Sequence, residues 1–277
     1  MLFRSVFSSA RQLCFRVLFC AAAGVVLAGC APKTGAPTGT APGPELVTDS
    51  DETQGRKRAR IRLELAIGYF EQGQTTVALD EIKQSLAADP TYAEAYNLRG
   101  LVYMRLDDAG MAEDSFRRAI ALTPREPNTL HNYGWLLCQQ ARYPESLQYF
   151  TQALANPLYR ERAKTWMAQG LCQVRAGQRV DGEASLLRSY ELDAGNPIAG
   201  YNLALLLYHR GEFVRAQFYV RRLNNSELAN SESLWLGIKV ERRMDNKDAM
   251  QQLSGQLRKR FPQSKEAAAL ERGAFDE

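Results

Sequence analysis

A similar stretch of sequence recurs at a nearly constant interval along this 277-residue chain. The intervals between successive starts are 34, 34, 36, 34 and 34 residues. The starts are Ala59, Ala93, Pro127, Ala163, Pro197 and Ser231. A fixed period of this length is typical of arrays in which each repeat buries its apolar face only against its neighbours. Unrelated amphipathic helices would have to match five intervals by coincidence, so the period favours a stack of six repeats.

Residue size at fixed positions supports the same interpretation. The eighth position of repeats one to five is small: Ala66, Gly100, Gly134, Gly170 and Ala204. The twentieth is also small: Ala78, Ala112, Ser146, Gly182 and Ala216. The twenty-fourth is large and apolar: Ile82, Phe116, Phe150, Leu186 and Val220. Small side chains let two helices cross closely, and a large neighbour fills the remaining space. Repeat six has Ile238 at its eighth position, which we interpret as a degraded terminal repeat.

Period and pattern together are those of the tetratricopeptide repeat, a helix-turn-helix unit. We therefore predict an all-α fold, a right-handed superhelical solenoid of six repeats over residues 55–277. Pro262 ends the second helix of repeat six. Residues 264–270 then form a short helix that caps the stack.

The first 29 residues have the pattern of a secretion signal. Basic residues precede an apolar run over 17–27, which is too short to span a bilayer. The run ends at Leu27-Ala28-Gly29-Cys30, which resembles the lipobox of bacterial lipoproteins, where the cysteine is acylated. A chance cysteine after an ordinary signal is the alternative. Because Ala31 stands where an inner-membrane retention signal would place Asp, the resemblance implies an outer-membrane protein facing the periplasm.

Residues 30–54 are interpreted as the lipidated cysteine and a flexible tether, because they are rich in Pro, Gly, Thr and Ala and have no apolar periodicity. Removing the signal leaves 32 basic residues against 31 acidic ones. A chain so close to neutral has no concentrated basic face, so we do not expect a nucleic-acid partner.

An enzyme needs a positioned acid, base, nucleophile or metal, and this sequence has few candidates. Its two histidines are His131 and His209, and no metal-binding, phosphate-binding or nucleophile motif is present. We predict a non-catalytic protein without a cofactor or metal.

A binding site follows from repeat geometry, since the first helices of such a stack line a concave groove. The positions that face it in repeats two to five carry Asn97, Leu101, Met104, His131, Asn132, Trp135, Gln139, Met167, Leu171, Tyr201, Asn202, Leu205 and Tyr208. Apolar anchors beside amides suit a peptide or helix. Alternatively, Trp135, Tyr201 and the aliphatic residues only pack against neighbouring repeats. His131, Asn132 and Asn202 favour the groove, because they are costly to bury unpaired. Repeat six supplies Lys239, Arg242 and Arg243, which makes that end basic.

Two cysteines remain once the signal is removed and Cys30 is acylated. Cys138 and Cys172 lie at similar heights on the first helices of repeats three and four. We predict a disulfide between them, with two buried free thiols as the alternative.

The middle of the chain resembles the type IV pilus biogenesis lipoproteins called PilW or PilF. The stretches that carry the resemblance are 131–138, 156–159 and 170–172, although Arg160 replaces an expected Pro. The resemblance implies a pilotin, which binds secretin subunits of the pilus machinery and promotes their localisation and multimerisation at the outer membrane. We also expect the chain to be monomeric. An adaptor for cell-wall enzymes or for outer-membrane protein assembly is the alternative.

Overall fold

The computed structural model describes residues 51–275, which form 13 α-helices and no strand. The first six are α1 (Gln54–Glu71), α2 (Thr75–Ala88), α3 (Ala93–Arg105), α4 (Ala109–Leu122), α5 (Pro127–Gln139) and α6 (Tyr143–Leu154). The next six are α7 (Arg162–Arg175), α8 (Arg179–Leu192), α9 (Pro197–His209), α10 (Phe213–Asn224), α11 (Ser231–Arg243) and α12 (Lys247–Arg260). The last is α13 (Lys265–Arg272). The predicted all-α solenoid is confirmed.

Helix starts coincide with the periodic starts in the sequence. Helices α3, α5, α9 and α11 begin at the residues that open repeats two, three, five and six, and α7 begins one residue earlier, at Arg162. Local chemistry explains two of these starts. Pro127 and Pro197 occupy the first turn of their helices, where a missing N–H costs nothing, and the side chains of Glu126 and Asn196 cap them.

The crossing of the two helices in each repeat depends on the small eighth residue. A methyl group at Gly170 would lie 2.7 Å from Leu186 Cγ and 3.0 Å from the carbonyl oxygen of Gly182. At Gly100 it would lie 2.5 Å from the ring of Phe116. The large residues at the twenty-fourth position are fully buried in all five repeats. The predicted close crossing is therefore present.

Repeat six corrects the sequence interpretation by one residue. Its small residue is Gly237, where a methyl group would lie 2.6 Å from Asn224 Nδ2 and 3.1 Å from Leu253 Cδ1. Counted from Asn230, which caps α11, Gly237 is eighth and Leu253 is twenty-fourth. The prediction of a degraded crossing at Ile238 was wrong, because the preceding interval is 33 residues. Ile238 is instead fully buried.

Contacts between helices define two layers. Each odd-numbered helix packs against the next odd-numbered one, from α1 with α3 to α11 with α13. The even-numbered helices, α2 to α12, contact only odd-numbered helices. The predicted cap is α13, which begins after Ser264 and ends at Gly273, with φ 65°. The odd-numbered helices therefore form one continuous layer.

The predicted signal peptide (1–29), the lipidation site Cys30 and residues 31–50 of the tether lie outside the described residues. Within 51–275, no helix has both the length and the apolar character needed to cross a membrane.

Glycines 170 and 68 give a matched test of the crossing. We expect Gly170→Ala to lower the free energy of unfolding by about 1 to 3 kcal/mol, because the added methyl meets backbone as well as Leu186. Gly68→Ala, in α1 with no atom within 4 Å of the added methyl, should be neutral or stabilise by up to about 1 kcal/mol through helix propensity. Urea unfolding measures both. Equal effects would contradict the close crossing.

Candidate partner-binding groove

The predicted groove residues lie on four neighbouring odd-numbered helices. Eleven of the thirteen are half-buried, Gln139 is exposed and His131 is buried. Half-burial is expected for side chains on the inner surface of a stack, because each has neighbours on one side and open space on the other. The structure thus places α3, α5, α7 and α9 side by side, with these residues along them.

The large groove side chains also pack into the core. Trp135 contacts the buried cluster around Phe150, and Met167 and Leu171 contact the cluster around Leu186. Tyr201, Leu205 and Tyr208 pack similarly against the cluster between repeats five and six. The packing alternative therefore holds for these residues. Their inward atoms fix their positions, while part of each side chain stays exposed.

Two amides link neighbouring repeats in the groove. Asn132 Nδ2 donates to Asn97 Oδ1 at 3.0 Å, which joins α5 to α3. Asn202 behaves differently, since its Nδ2 donates to the carbonyl of Ile198 on its own helix at 2.8 Å.

His131 does not line the groove, and that prediction was wrong. Its side chain is 5% exposed, and Nδ1 lies 2.8 Å from Thr165 Oγ1, which is 2.9 Å from the Tyr159 hydroxyl. Burial, with a smaller contribution from the charge of Lys164, lowers the pKa of His131 from 6.5 to about 3. The imidazole is therefore neutral and belongs to a buried hydrogen-bonded chain between repeats three and four.

The three basic residues predicted at repeat six each cover an aromatic ring. Lys239 Nζ lies 5.6 Å from the Tyr208 ring centre, Arg242 lies 4.2 Å from that of Phe275, and Arg243 lies 4.9 Å from that of Phe213. These distances are in the range of cation–π contacts. The basic residues at this end therefore also stabilise the packing of the aromatic rings that they cover.

A cavity of about 310 Å³ at this end was missed from the sequence. Its apolar lining includes Tyr201, Leu205, Trp235 and Leu236, and α13 contributes Ala269 to its wall. Trp235 is the fifth residue counted from Ser231 and the sixth counted from Asn230, and both are positions used for groove residues in the other repeats. The repeat period was therefore a signal that could have found it.

Exposed apolar residues at the opposite end were also missed. Ile61 and Leu65 on α1 are 46% and 45% exposed. The equivalent residues of repeat five, Ala199 and Leu203, are buried, because a preceding repeat covers them. Among the described residues no repeat precedes α1, so this end of the solenoid offers an open apolar face.

Comparison with known proteins agrees with this architecture. Models described as tetratricopeptide repeats match residues 91–157 and 134–197, and a TPR repeat model matches residues 69–107. The type IV pilus assembly protein PilF of Pseudomonas aeruginosa is 29% identical over 226 residues, which cover 79% of this chain and 90% of that protein. The solved structure of Pseudomonas aeruginosa PilF matches with a TM-score of 0.73 and 26% identity, covering 80% of this chain and all of that one.

PilW, described as a widely conserved type IV pilus biogenesis factor, matches with a TM-score of 0.70 and 30% identity. The match covers 76% of this chain and 97% of the PilW structure. The chain belongs to the PilF/PilW family of tetratricopeptide-repeat proteins. Family membership confirms the resemblance that repeats three and four carry in the sequence.

In this family member a disulfide joins the middle two repeats. Cys138 on α5 and Cys172 on α7 are bonded, with their Cα atoms 5.8 Å apart, and both are buried. Ser146 lies beside the bond and donates to the carbonyl of Gly134 at 2.7 Å. The cross-link is adjacent to Trp135, so it holds the centre of the groove.

Charged side chains of this family member form structural pairs. Burial raises the pKa of Glu113, but hydrogen bonds from Arg142 and Tyr133 outweigh that effect and hold it below its usual range. These bonds join repeats two and three. Within 51–275, no group of three or more His, Cys, Asp or Glu is arranged to hold a metal ion, and His209 is exposed.

The disulfide predicts the behaviour of the cysteines in solution. Non-reduced, alkylated protein should show Cys138 and Cys172 in one cross-linked peptide pair. Reduction should lower the free energy of unfolding by about 3 to 4 kcal/mol, since the bond closes a 34-residue separation. Mass spectrometry and urea unfolding with and without dithiothreitol measure these effects. Two alkylated cysteines in the non-reduced sample would contradict the prediction.

Burial of neutral His131 predicts acid sensitivity. The unfolded chain binds a proton below pH 6.5 and the folded chain does so only near pH 3, so stability is full above pH 6.5 and falls as pH decreases between those values. Between pH 7 and 4.5 we expect the wild type to lose about 2 to 3 kcal/mol more than His131→Gln. Urea unfolding at both pH values measures the difference. Carboxylates titrate in both proteins and cancel, so an equal loss would contradict the assignment.

Proposed function

We propose that this chain is an outer-membrane lipoprotein, facing the periplasm, that binds secretin subunits and promotes their localisation and multimerisation in type IV pilus biogenesis. The observation that carries the proposal is the groove, a line of fixed, half-buried aromatic, Met, Leu and Asn side chains along α3, α5, α7 and α9. The PilF and PilW relatives are type IV pilus assembly and biogenesis proteins, which supports this choice of client.

The groove has the two elements that recognition of a peptide or helix requires. Large apolar side chains such as Trp135 and Tyr201 supply binding energy, and their inward packing has already fixed their rotamers. The Asn97 and Asn132 amides supply hydrogen bonds to a polar edge or to the backbone of the bound segment. Recognition by such a surface needs no chemical reaction, so the protein acts as a scaffold.

The proposed anchor turns recognition into assembly. Acylation at Cys30 would place the chain at the outer membrane, and the residues between Cys30 and α1 would supply reach, with an r.m.s. span of about 25 to 30 Å for a flexible chain of this length. Tethering raises the effective concentration of a bound subunit at the membrane surface. A scaffold of this kind promotes assembly by bringing subunits together where the ring forms.

Groove variants test the proposal against a matched control. Trp135→Ala with Tyr201→Ala should abolish secretin multimers in isolated membranes and co-purification of the secretin with the chain. Val214→Ala with Phe218→Ala removes two apolar side chains from α10, which are 72% and 60% exposed outside the groove, and should leave multimers at the wild-type level. Protein abundance and thermal midpoint are measured for both, so that loss of folding is recognised.

Two outcomes would overturn the proposal. One is unchanged multimers in a folded, abundant groove variant. The other is co-purification of peptidoglycan hydrolases or synthases, or of outer-membrane assembly proteins, without any secretin. That result would identify the chain as an adaptor for a different envelope process with the same fold.

A further inference from the structure

The longest interval in the repeat array creates an unusual loop. Repeats three and four start 36 residues apart, and the extra residues lie in the connection between α6 and α7. Leu158 in this loop is 86% exposed, the highest value among the exposed large apolar side chains of residues 51–275. A single exposed leucine is common on protein surfaces, and what distinguishes this one is the apolar cleft beside its loop.

The loop is held rigidly even though Leu158 points into solvent. The Leu158 N–H donates to Asn156 Oδ1 at 2.9 Å, and Arg162 Nη1 donates to the carbonyls of Leu154 and Asn156. The next residue, Tyr159, is buried, and its hydroxyl belongs to the chain with Thr165 and His131. Leu158 is thus presented in one backbone arrangement, so a partner that binds it orders little of the loop.

A cleft of about 510 Å³ lies beside this loop. Pro124, Leu130, Ala155 and Pro157 form its apolar lining, with Arg125 and Gln152 at its polar side. Such a surface can contact a partner in two ways. Leu158 can insert into a pocket of the partner, and the cleft can accept an apolar side chain from it.

Basic side chains near the cleft indicate the charge of the partner that it would bind. Arg125 and Arg160 are exposed, and the described residues show no ion pair to either. Of the nearby acids, Glu126 caps α5 by accepting from Asn128 N at 3.2 Å, and Glu161 is exposed. With Arg162 and Lys164 in the first turn of α7, the surface is net positive.

We propose that Leu158, Arg125, Arg160 and the adjoining cleft form a second docking surface, the loop-side surface, for an acidic protein segment that places an apolar side chain in the cleft. A second copy of this chain is disfavoured, because a symmetric contact would bring the arginines of both copies together. The surface is separate from the groove and needs no particular groove client.

The chain contains a matched control for this surface. Between α10 and α11, the Leu228 N–H donates to Ser226 Oγ at 3.2 Å, and buried Ala229 follows, which repeats the arrangement around Leu158. Leu228 is 54% exposed, and the adjacent cleft is only about 240 Å³. This loop therefore has the same turn with a smaller cleft.

Photo-cross-linking of the full chain in cells tests the proposal. A photoreactive phenylalanine replaces the exposed Gln152 at the cleft, and cross-linked peptides are sequenced by mass spectrometry. We expect adducts to an acid-rich segment with an apolar residue at the cross-link. Leu158→Asp should reduce them at least about ten-fold and Arg125→Glu about as much, while Leu228→Asp should leave them unchanged.

Other results would overturn the proposal. Adducts only to another copy of the chain would show a self-contact, and adducts only to lipid would show a membrane contact. Adducts to a basic segment, no adduct, or equal sensitivity to Leu158→Asp and Leu228→Asp would each exclude the acidic docking surface. Thermal midpoints of the three variants, expected to lie within a few degrees of the wild type because all three side chains are exposed, separate loss of contact from loss of fold.

Discussion

The close crossing of two helices within each repeat is the contact on which the rest of the molecule depends. At Gly170 there is room for a hydrogen atom and no more, because Leu186 and the carbonyl of Gly182 occupy the space where a methyl group would lie. The crossing distance sets the angle of the second helix, and the second helix is the surface on which the next repeat packs. One small residue per repeat therefore controls how the odd-numbered helices line up, and hence whether a continuous groove exists.

The groove gains its rigidity from that packing. Trp135, Met167 and Tyr201 each pack part of their surface against an inter-repeat cluster and leave the rest exposed. The same packing therefore stabilises the fold and fixes the positions of the groove side chains. The Cys138–Cys172 bond adds a covalent link at the centre, where opening between repeats would do most damage to the groove. Repeat arrays hold each unit mainly through its neighbours, so a cross-link in the middle limits separation into two independently fraying halves.

How far the sequence could predict this structure depends on whether a feature repeats. Helix starts at Ala93, Pro127 and Pro197 were predicted because spacing and N-terminal prolines agree. Repeat six was numbered one residue late because the interval between the starts of repeats five and six is 33 residues and not 34. The small eighth residue is therefore Gly237, and Ile238 follows it. The burial of His131 could not be predicted from the sequence. Its hydrogen-bond partner Thr165 lies 34 positions later, and the third member of that hydrogen-bonded chain, Tyr159, lies in the longer loop between α6 and α7.

Departures from the period make individual repeats distinguishable, which a perfectly regular array does not allow. Successive repeats present similar surfaces, so a segment bound in a perfectly regular groove could shift by one repeat with little change in contacts. The two extra residues between α6 and α7 break that equivalence, as does the shorter interval before repeat six. The crossing is undisturbed, because Phe150 and Leu186 stay fully buried on either side of the longer loop. The irregular loop buries Tyr159 to hold the stack and exposes Leu158 to solvent. A partner that contacts both the groove and this loop would bind in a single register.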